Sequence, residues 1–313
     1  PETLKMAKLG RELRAKGIDV IDLSLGEPDF DTPRHIKEAA VKAIQDNWSH
    51  YSPVPGFLDL REAVCTKLKR DNDLDYKPEN IVVSTGAKQS LANAMLALVD
   101  EGEEVIIPTP YWVTYSELVK IARGKVVEIK STPQQGFKIN AAQLEAAITP
   151  KSKLFLFSSP CNPSGAVYSR KELASLVEVF KKHPGILILS DEIYEYINFT
   201  GKHASIGAFE KTKNLTATVN GFSKGFSMTG WRLGYMGGPK WLADACNKVQ
   251  GQVTSGAASF SQAAATVALK TEKTEALAMK EAFLRRRDLI IAKLKEVPGL
   301  KVNQPQGAFY VQT

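Results

Sequence analysis

The strongest constraint on this chain is a repeated unit, in which a short apolar run is followed by a helical pattern and then another short apolar run. Ile81-Val82-Val83 precedes a helical pattern over Lys88–Leu98, and Val105-Ile106-Ile107 precedes one over Thr114–Ile121. Lys125–Ile129, a helix around Ala141–Ile148, Leu154–Phe157, a helix over Arg170–Lys181 and Ile186–Leu189 continue the alternation, and Leu215–Val219 and Leu233–Met236 complete it. Strands that are apolar nearly throughout must be covered on both faces, and strands spaced by helices pair in parallel. The pattern therefore predicts an α/β fold, a mostly parallel (mixed) sheet sandwiched by helices. In such a sheet, ligands bind in loops beyond the carboxyl ends of the strands.

The flanks have a different texture. Glu2–Lys16 reads as an amphipathic helix stopped by Gly17, and Val20–Leu25 as an extended stretch running into a turn at Gly26-Glu27-Pro28-Asp29. Helical patterns follow at Arg34–Asp46 and Phe57–Arg70. Near the other end, a long helical stretch over Thr274–Lys295 leads to two strand patterns, Lys301-Val302 and Ala308–Val311. A sheet seldom ends on an uncovered strand. The sequence is accordingly expected to lack a C-terminal portion beyond Thr313.

Composition removes several function classes. A chain of 313 residues, 43% hydrophobic and 24% charged, has room for a large domain and a smaller one. The net charge of +7 is mild, and its densest run, Arg285-Arg286-Arg287, lies in a helical pattern and reads as a solvated face. Nucleic-acid binding would want the charge concentrated. Cys65, Cys161 and Cys246 are far apart and odd in number, so a reducing compartment is expected rather than a disulfide framework. His35, His50, His183 and His203 show no ligand spacing, and metal catalysis is not expected. No apolar run is long enough to cross a bilayer and the start of the chain is charged, which reads as cytoplasmic, with no membrane partner.

The chemistry concentrates at predicted strand ends. Gly221-Phe222-Ser223-Lys224-Gly225 imitates the nucleophile elbow of hydrolases, but that fold needs a histidine after the serine, and every histidine here precedes Ser223. Gly225 to Gly230 has the spacing of a phosphate loop, with Trp231 where lysine is required, and no G-x-G-x-x-G occurs. What remains is Lys224, either a surface lysine or a pocket amine able to form a Schiff base, with Arg232 eight residues on. Asp191 directly follows the apolar run Ile186–Leu189 and Ser190, and is either a helix cap or an anionic partner for a buried cation. Asn162 follows another strand as a turn former or as an amide aimed at a ligand oxygen. Thr85-Gly86-Ala87-Lys88 is a strand-to-helix junction whose N–H groups can hold phosphate, and Trp112 offers an aromatic plate.

Taken together, SLGEPDF, YSPVPG, STGAKQ, PYW, SSPCNPSGAVY, SDEIY, NGFSKGFSMTGWRLGY and RRRDL resemble the class I pyridoxal-phosphate-dependent aminotransferases of fold type I, the aspartate aminotransferase branch in particular. The resemblance runs from Ala15-Lys16-Gly17 to Gly307-Ala308-Phe309-Tyr310-Val311. It implies pyridoxal 5′-phosphate as cofactor, with Lys224 as the Schiff-base lysine and Asp191 paired with the pyridinium nitrogen. It further implies that Tyr194 and Asn162 hold the ring's phenolic oxygen and that Trp112 stacks on the ring. Gly86, Ala87, Lys88, Ser223 and Arg232 would surround the phosphate. Tyr51 would reach the phosphate of a neighbouring subunit, making a homodimer with shared active sites. Gly26 would lie against the substrate α-carboxylate, and Trp112 and Asn162 would also contact the substrate.

The implied reaction is ping-pong transfer of an amino group between an L-amino acid, aspartate or glutamate first, and a 2-oxo acid. In this branch a lysine at Lys88 is associated with the distal carboxylate, and Thr3 with accepting prephenate, so prephenate or bifunctional aspartate/prephenate transamination is the alternative. A pyridoxal-phosphate lyase and a non-catalytic regulatory domain are further alternatives. The implied domains are residues 1–33 with the small domain, 34–275 as the large cofactor-binding domain, and 276–313 as the start of a truncated small domain. The arginine that clamps the α-carboxylate is expected beyond Thr313.

Overall fold

Each apolar run becomes a strand of one sheet in the computed structural model, which describes residues 2–23 and 25–313, with the backbone alone for residues 2–4 and 7. The strands are β1 (Ile81–Ser84), β2 (Glu104–Thr109), β3 (Lys125–Lys130), β4 (Ser152–Ser158), β5 (Leu187–Asp191), β6 (Thr216–Gly221) and β7 (Gly234–Gly237). Their order across the sheet is β1-β7-β6-β5-β4-β2-β3. β7 runs antiparallel to both β1 and β6, whereas β2, β3, β4, β5 and β6 pair in parallel, so the sheet is mixed and mostly parallel as expected.

The helices are α1 (Glu2–Ala15), α2 (Arg34–Gln45), α3 (Leu58–Asn72), α4 (Ala87–Leu98), α5 (Thr114–Ile121), α6 (Ala141–Ala147), α7 (Arg170–Lys182), α8 (Lys240–Val253), α9 (Ser259–Lys270) and α10 (Thr274–Lys295). α8 and α9 are absent from the sequence reading, because alanine and small polar residues blur their apolar stripes. Where a cap is written in the sequence, the boundary is sharp. Ser169 opens α7 with a capping box, its Oγ accepting from Glu172 N–H while Glu172 Oε2 accepts from Ser169 N–H.

Strand alternation sorts the core onto two faces. Leu154 and Leu156 of β4 point to the side covered by α4, α5 and α8, where Leu91, Met95, Leu118, Leu242 and Cys246 are buried. Phe155 and Phe157 point to the other side, against Leu173, Leu176 and Phe180 of α7. Ile81 and Val83 of β1 face α2, α3 and α9 through Ile36, Leu60, Leu68 and Ala265. Each fully buried Leu, Ile or Phe is worth about 1.5–3 kcal/mol, so helices on both faces are what hold the sheet in place.

A further cluster joins the two ends of the chain to this body. Tyr194 and Ile197, just past β5, pack with Ala276, Met279 and Phe283 of α10, with Ala308, and with Phe30, Phe309 and Tyr310. Here the structure corrects the sequence reading. Lys301-Val302 and Ala308–Val311 form no strand, and only an isolated antiparallel bridge links Gly307 to Asn198. Val20–Leu25 pairs with no strand among the described residues. The Arg285–Arg287 run is also more than a solvated face. Arg286 grips Asp29 through two hydrogen bonds of 2.6 and 3.1 Å and lies over the Phe30 ring, while Arg287 donates to Pro305 O. α10 therefore pins the segment that precedes α2.

Candidate active site

The carboxyl end of β5 delivers Asp191 into a fully buried position. Tyr115 Oη, from α5, donates to its Oδ2 at 2.7 Å, and Ile193 N–H donates to its Oδ1 at 3.2 Å. Burial nevertheless pushes the carboxyl up to about 6, with Tyr115 pulling the other way. A carboxylate carrying that cost is suited to a cation brought against it. Asp191 opens no helix, which removes the capping alternative.

β6 ends at Gly221, and the following loop anchors Phe222 in the core and turns Lys224 into the same cavity. Lys224 Nζ donates to Gly26 O at 2.6 Å. Burial lowers its pKa to about 8, opposed by Glu27 and Asp191 and assisted by the Arg232 cation. A lysine so depressed has a large neutral fraction near physiological pH, which an amine nucleophile requires.

The opening turn of α4 forms the anionic end of the cavity. Gly86, at φ +85°, carries no side-chain cap, and the first N–H groups of a helix have no acceptor within it. A β-carbon at Gly86 would collide with the Arg232 guanidinium, and one at Gly234 of β7 would collide with the backbone at Ala87. Two glycines thus let helix start, arginine and sheet converge, with Ser223 and Lys88 beside them. This is a donor set for a dianion.

The opposite wall is aromatic. Trp112 meets Tyr115 edge-on at 5.7 Å, and Lys88 Nζ stands 4.7 Å from the Trp112 ring centre. Burial lowers the Lys88 pKa, with Arg232 pushing the same way. Asn162 Nδ2 donates to Tyr310 Oη at 3.2 Å, and Tyr194 Oη lies 2.6 Å from the same oxygen. Burial drives the Tyr194 phenol well above its ordinary value, so its hydroxyl stays protonated.

One cavity of about 480 Å³ is lined by Gly26, Ala87, Lys88, Trp112, Asn162, Asp191, Tyr194, Ser223, Lys224 and Arg232, with Gly86 directly behind Arg232. Residues from widely separated motifs are therefore brought together. Tyr51 is not among them. It is 97% exposed on a loop lining a different cleft with Ile44, Trp48 and Phe260. The Thr3 side chain lies outside the described residues. Arg232 lines the cavity, whereas Arg285, Arg286 and Arg287 do not.

Tyr115, Thr229 and Tyr310 also line the cavity and were missed in the sequence. Tyr115 follows Trp112 by one helical turn, a signal that was available; Tyr310 sits in a segment misread as a strand. Behind Asp191 the structure also assembles Glu192, Glu195 and His203, with potential ligand atoms within 4.8 Å of one another, which linear spacing did not reveal. Lys67 is ion-paired with Glu195, and Asn72 Nδ2 bonds both carboxylates at 2.9 and 2.7 Å. The ammonium already supplies the cation that a metal would bring.

The donor set fits pyridoxal 5′-phosphate chemically, with a buried carboxylate for a ring nitrogen, an amine of lowered pKa for an aldehyde, and helix N–H groups with an arginine for the phosphate. A family model described as aminotransferase class I and II matches residues 18–313. The chain is a class I and II aminotransferase. An aspartate/prephenate aminotransferase of Cereibacter sphaeroides is 45% identical over 316 residues, covering 99% of this chain and 78% of that relative. The crystal structure of the aspartate aminotransferase from Rhizobium meliloti matches with a TM-score of 0.95 at 45% identity, covering 99% of this chain and 78% of the other. The aspartate aminotransferase from Thermus thermophilus with maleate gives 0.94 at 42% identity, covering 99% and 81%. The aminotransferase therefore has the fold of type I and belongs to the aspartate aminotransferase branch.

Proposed function

We propose that this aminotransferase binds pyridoxal 5′-phosphate in the cavity and exchanges amino groups between L-amino acids, aspartate and glutamate first, and 2-oxo acids. The observation that carries the reading is the placement of Lys224, with its pKa lowered to about 8, in the same buried cavity as Asp191. When bound, the cofactor supplies an electron sink for the pair of electrons left on the substrate α-carbon.

The protein's own groups do the rest. Arg232, Ser223 and the N–H groups at the start of α4 would hold the phosphate, and Trp112 would supply an aromatic face for the ring. Asp191, oriented by Tyr115, keeps a proton on the ring nitrogen. Tyr194 and Asn162 donate to the phenolic oxygen. Lys224 Nζ would hold the cofactor aldehyde, and its free amine would take up and return the proton of the substrate α-carbon. Gly26 O, accepting at 2.6 Å, orients the free amine. Gly26, Trp112 and Asn162 line the space for the substrate. Lys88, exposed beside the Trp112 ring, would receive a distal carboxylate.

Prephenate as an additional acceptor is the second reading, favoured by the names of the Cereibacter sphaeroides relative and of the bifunctional enzyme of Petunia hybrida, 44% identical to this chain. Thr3 belongs to that reading. We further propose a cytoplasmic homodimer in which Tyr51, fully presented to solvent here, completes the partner's phosphate site. In the proposed domain division, residues 1–33 and 276–313 belong to a small domain set against 34–275.

Aspartate and 2-oxoglutarate should yield oxaloacetate and glutamate without ammonia, whereas ammonia release would indicate a lyase. Lys224→Ala should abolish the visible absorbance gained on adding pyridoxal phosphate, and a spectrum identical to wild type would refute the assignment. Comparing prephenate with other acceptors decides the second reading.

A further inference from the structure

Tyr310 Oη occupies an unusual position in the cavity. Asn162 Nδ2 donates to it at 3.2 Å, Tyr194 Oη is 2.6 Å away, and a β-carbon at Gly26 would collide with it. A side-chain amide nitrogen can only donate, so Tyr310 is the acceptor in that bond. Either hydroxyl can donate in the Tyr194–Tyr310 bond, and in both cases the bond engages the Tyr194 oxygen. The two side chains assigned to a ligand oxygen therefore both bond an oxygen of the protein itself, Asn162 as its donor and Tyr194 through a hydroxyl pair.

We propose that Tyr310 is a displaceable internal ligand. Its hydroxyl holds the place of an anionic oxygen, a phenolate of the cofactor ring or a carboxylate of the substrate, and is exchanged for it on binding. This rests on the reading of the cavity as a pyridoxal-phosphate site.

The backbone around Tyr310 is firmly tied, so the exchange is a movement of the side chain. Gln306 N–H and Gly307 N–H both donate to Gly165 O, at 2.9 and 3.0 Å, and Ala308 N–H donates to Ile197 O at 2.7 Å. Asn303 Nδ2 adds a bond to Ser164 O at 2.7 Å. Ala308, buried at φ +57°, makes the kink that precedes Phe309 and Tyr310. The phenol itself rests edge-on against Tyr194, with ring centres 5.7 Å apart, and rotation about its own side-chain bonds would free both Asn162 and Tyr194.

The test uses Tyr310→Phe, which keeps the ring and removes the hydroxyl. In one arm the cofactor-free protein is titrated with pyridoxal phosphate and followed by tryptophan fluorescence. In the other, the loaded protein is titrated with succinate, an unreactive dicarboxylate, and followed by the absorbance of the bound cofactor. Losing one competing hydrogen bond of ordinary strength should tighten binding roughly 2- to 10-fold. Tighter cofactor binding identifies the ring oxygen as the displacing group. Tighter succinate binding with unchanged cofactor affinity identifies the carboxylate. Tyr310→Leu, which also opens the space of the ring, should tighten the same arm at least as much. Binding that is unchanged or weaker in both arms for both variants overturns the proposal. A wild-type protein that takes up no pyridoxal phosphate defeats the reading of the cavity, a distinguishable result.

Discussion

Tyr115 and Asp191 are joined by a 2.7 Å hydrogen bond from the tyrosine hydroxyl to Oδ2, both groups buried and brought together from α5 and β5. The bond opposes the burial that pushes the Asp191 carboxyl up to about 6. A hydrogen bond to a charged group contributes about 1.5–3 kcal/mol, or about one to two pKa units. Tyr115→Phe is therefore expected to raise the Asp191 pKa further and move the acid limb of the kcat/KM profile to higher pH by about one unit. An acid limb in the wild-type position would show that Tyr115 packs without tuning.

Lys224 sets a pH dependence of opposite origin. Its amine must lose a proton before it can attack an aldehyde, and its pKa is lowered by burial to about 8. Below that value, the rate of cofactor uptake should rise about tenfold per pH unit, then level off above it. Stopped-flow absorbance after mixing the cofactor-free protein with pyridoxal phosphate measures this. A rate still climbing steeply at pH 10 would mean the amine keeps the basicity of an exposed lysine.

Much of the fold is legible in the sequence because apolar runs have little freedom. Ile81-Val82-Val83 or Leu154–Phe157 can only be covered strands, and the helices between them follow from spacing. The misreadings fall where local pattern and tertiary context disagree. Ala308–Val311 has strand-forming residues but is tied by Ala308 N–H to Ile197 O, and through Gln306 and Gly307 just before it to Gly165 O, with no strand partner among the described residues, so Tyr310 enters the cavity unannounced. Arg286 reads as a solvent charge because Asp29, its partner, is 257 residues away. Among the site residues, Lys224, Asp191 and Asn162 stand at strand ends and could be singled out, although each kept a bland alternative until the structure placed them in one cavity. The Glu192, Glu195 and His203 cluster could not be foreseen, since it requires α3 to carry Lys67 and Asn72 underneath β5.

Gly86 lies at a left-handed φ of +85°, and a β-carbon there would meet the Arg232 guanidinium. Gly86→Ala adds backbone strain of roughly 1–3 kcal/mol and displaces the arginine from the start of α4. Affinity for pyridoxal phosphate should fall about tenfold or more, as expected for the loss of a charge-assisted contact. The competing phosphate-free aldehyde pyridoxal should lose much less. Equal losses for the two aldehydes would place the damage outside the phosphate cradle.

His203 and Glu192 form a buried pair at 2.8 Å, with Lys67 and Glu195 as the other charges facing the histidine. Two carboxylates stand against one lysine, so protonated His203 completes the charge balance. Burial lowers the His203 pKa, but Glu192 outweighs it and the net shift is upward from 6.5. Burial raises the Glu192 pKa, but His203, Ser205 and Lys67 outweigh it and the net shift is downward from 4.5. A raised histidine stabilises fully below its unfolded value of 6.5 and loses that contribution as pH rises through its folded value. A depressed carboxylate stabilises above 4.5 and loses that contribution as pH falls through its folded value. The pair is therefore worth most between 4.5 and 6.5. His203→Gln leaves Glu192 buried without its cation, a defect of about 3–5 kcal/mol for a buried pair. Its melting temperature should fall well below wild type at pH 6, and the gap should narrow as pH rises through the folded pKa of the wild-type histidine, which lies above 6.5. Melting curves of both proteins across that range measure the gap, and a gap of constant size would show that the histidine contributes shape rather than charge.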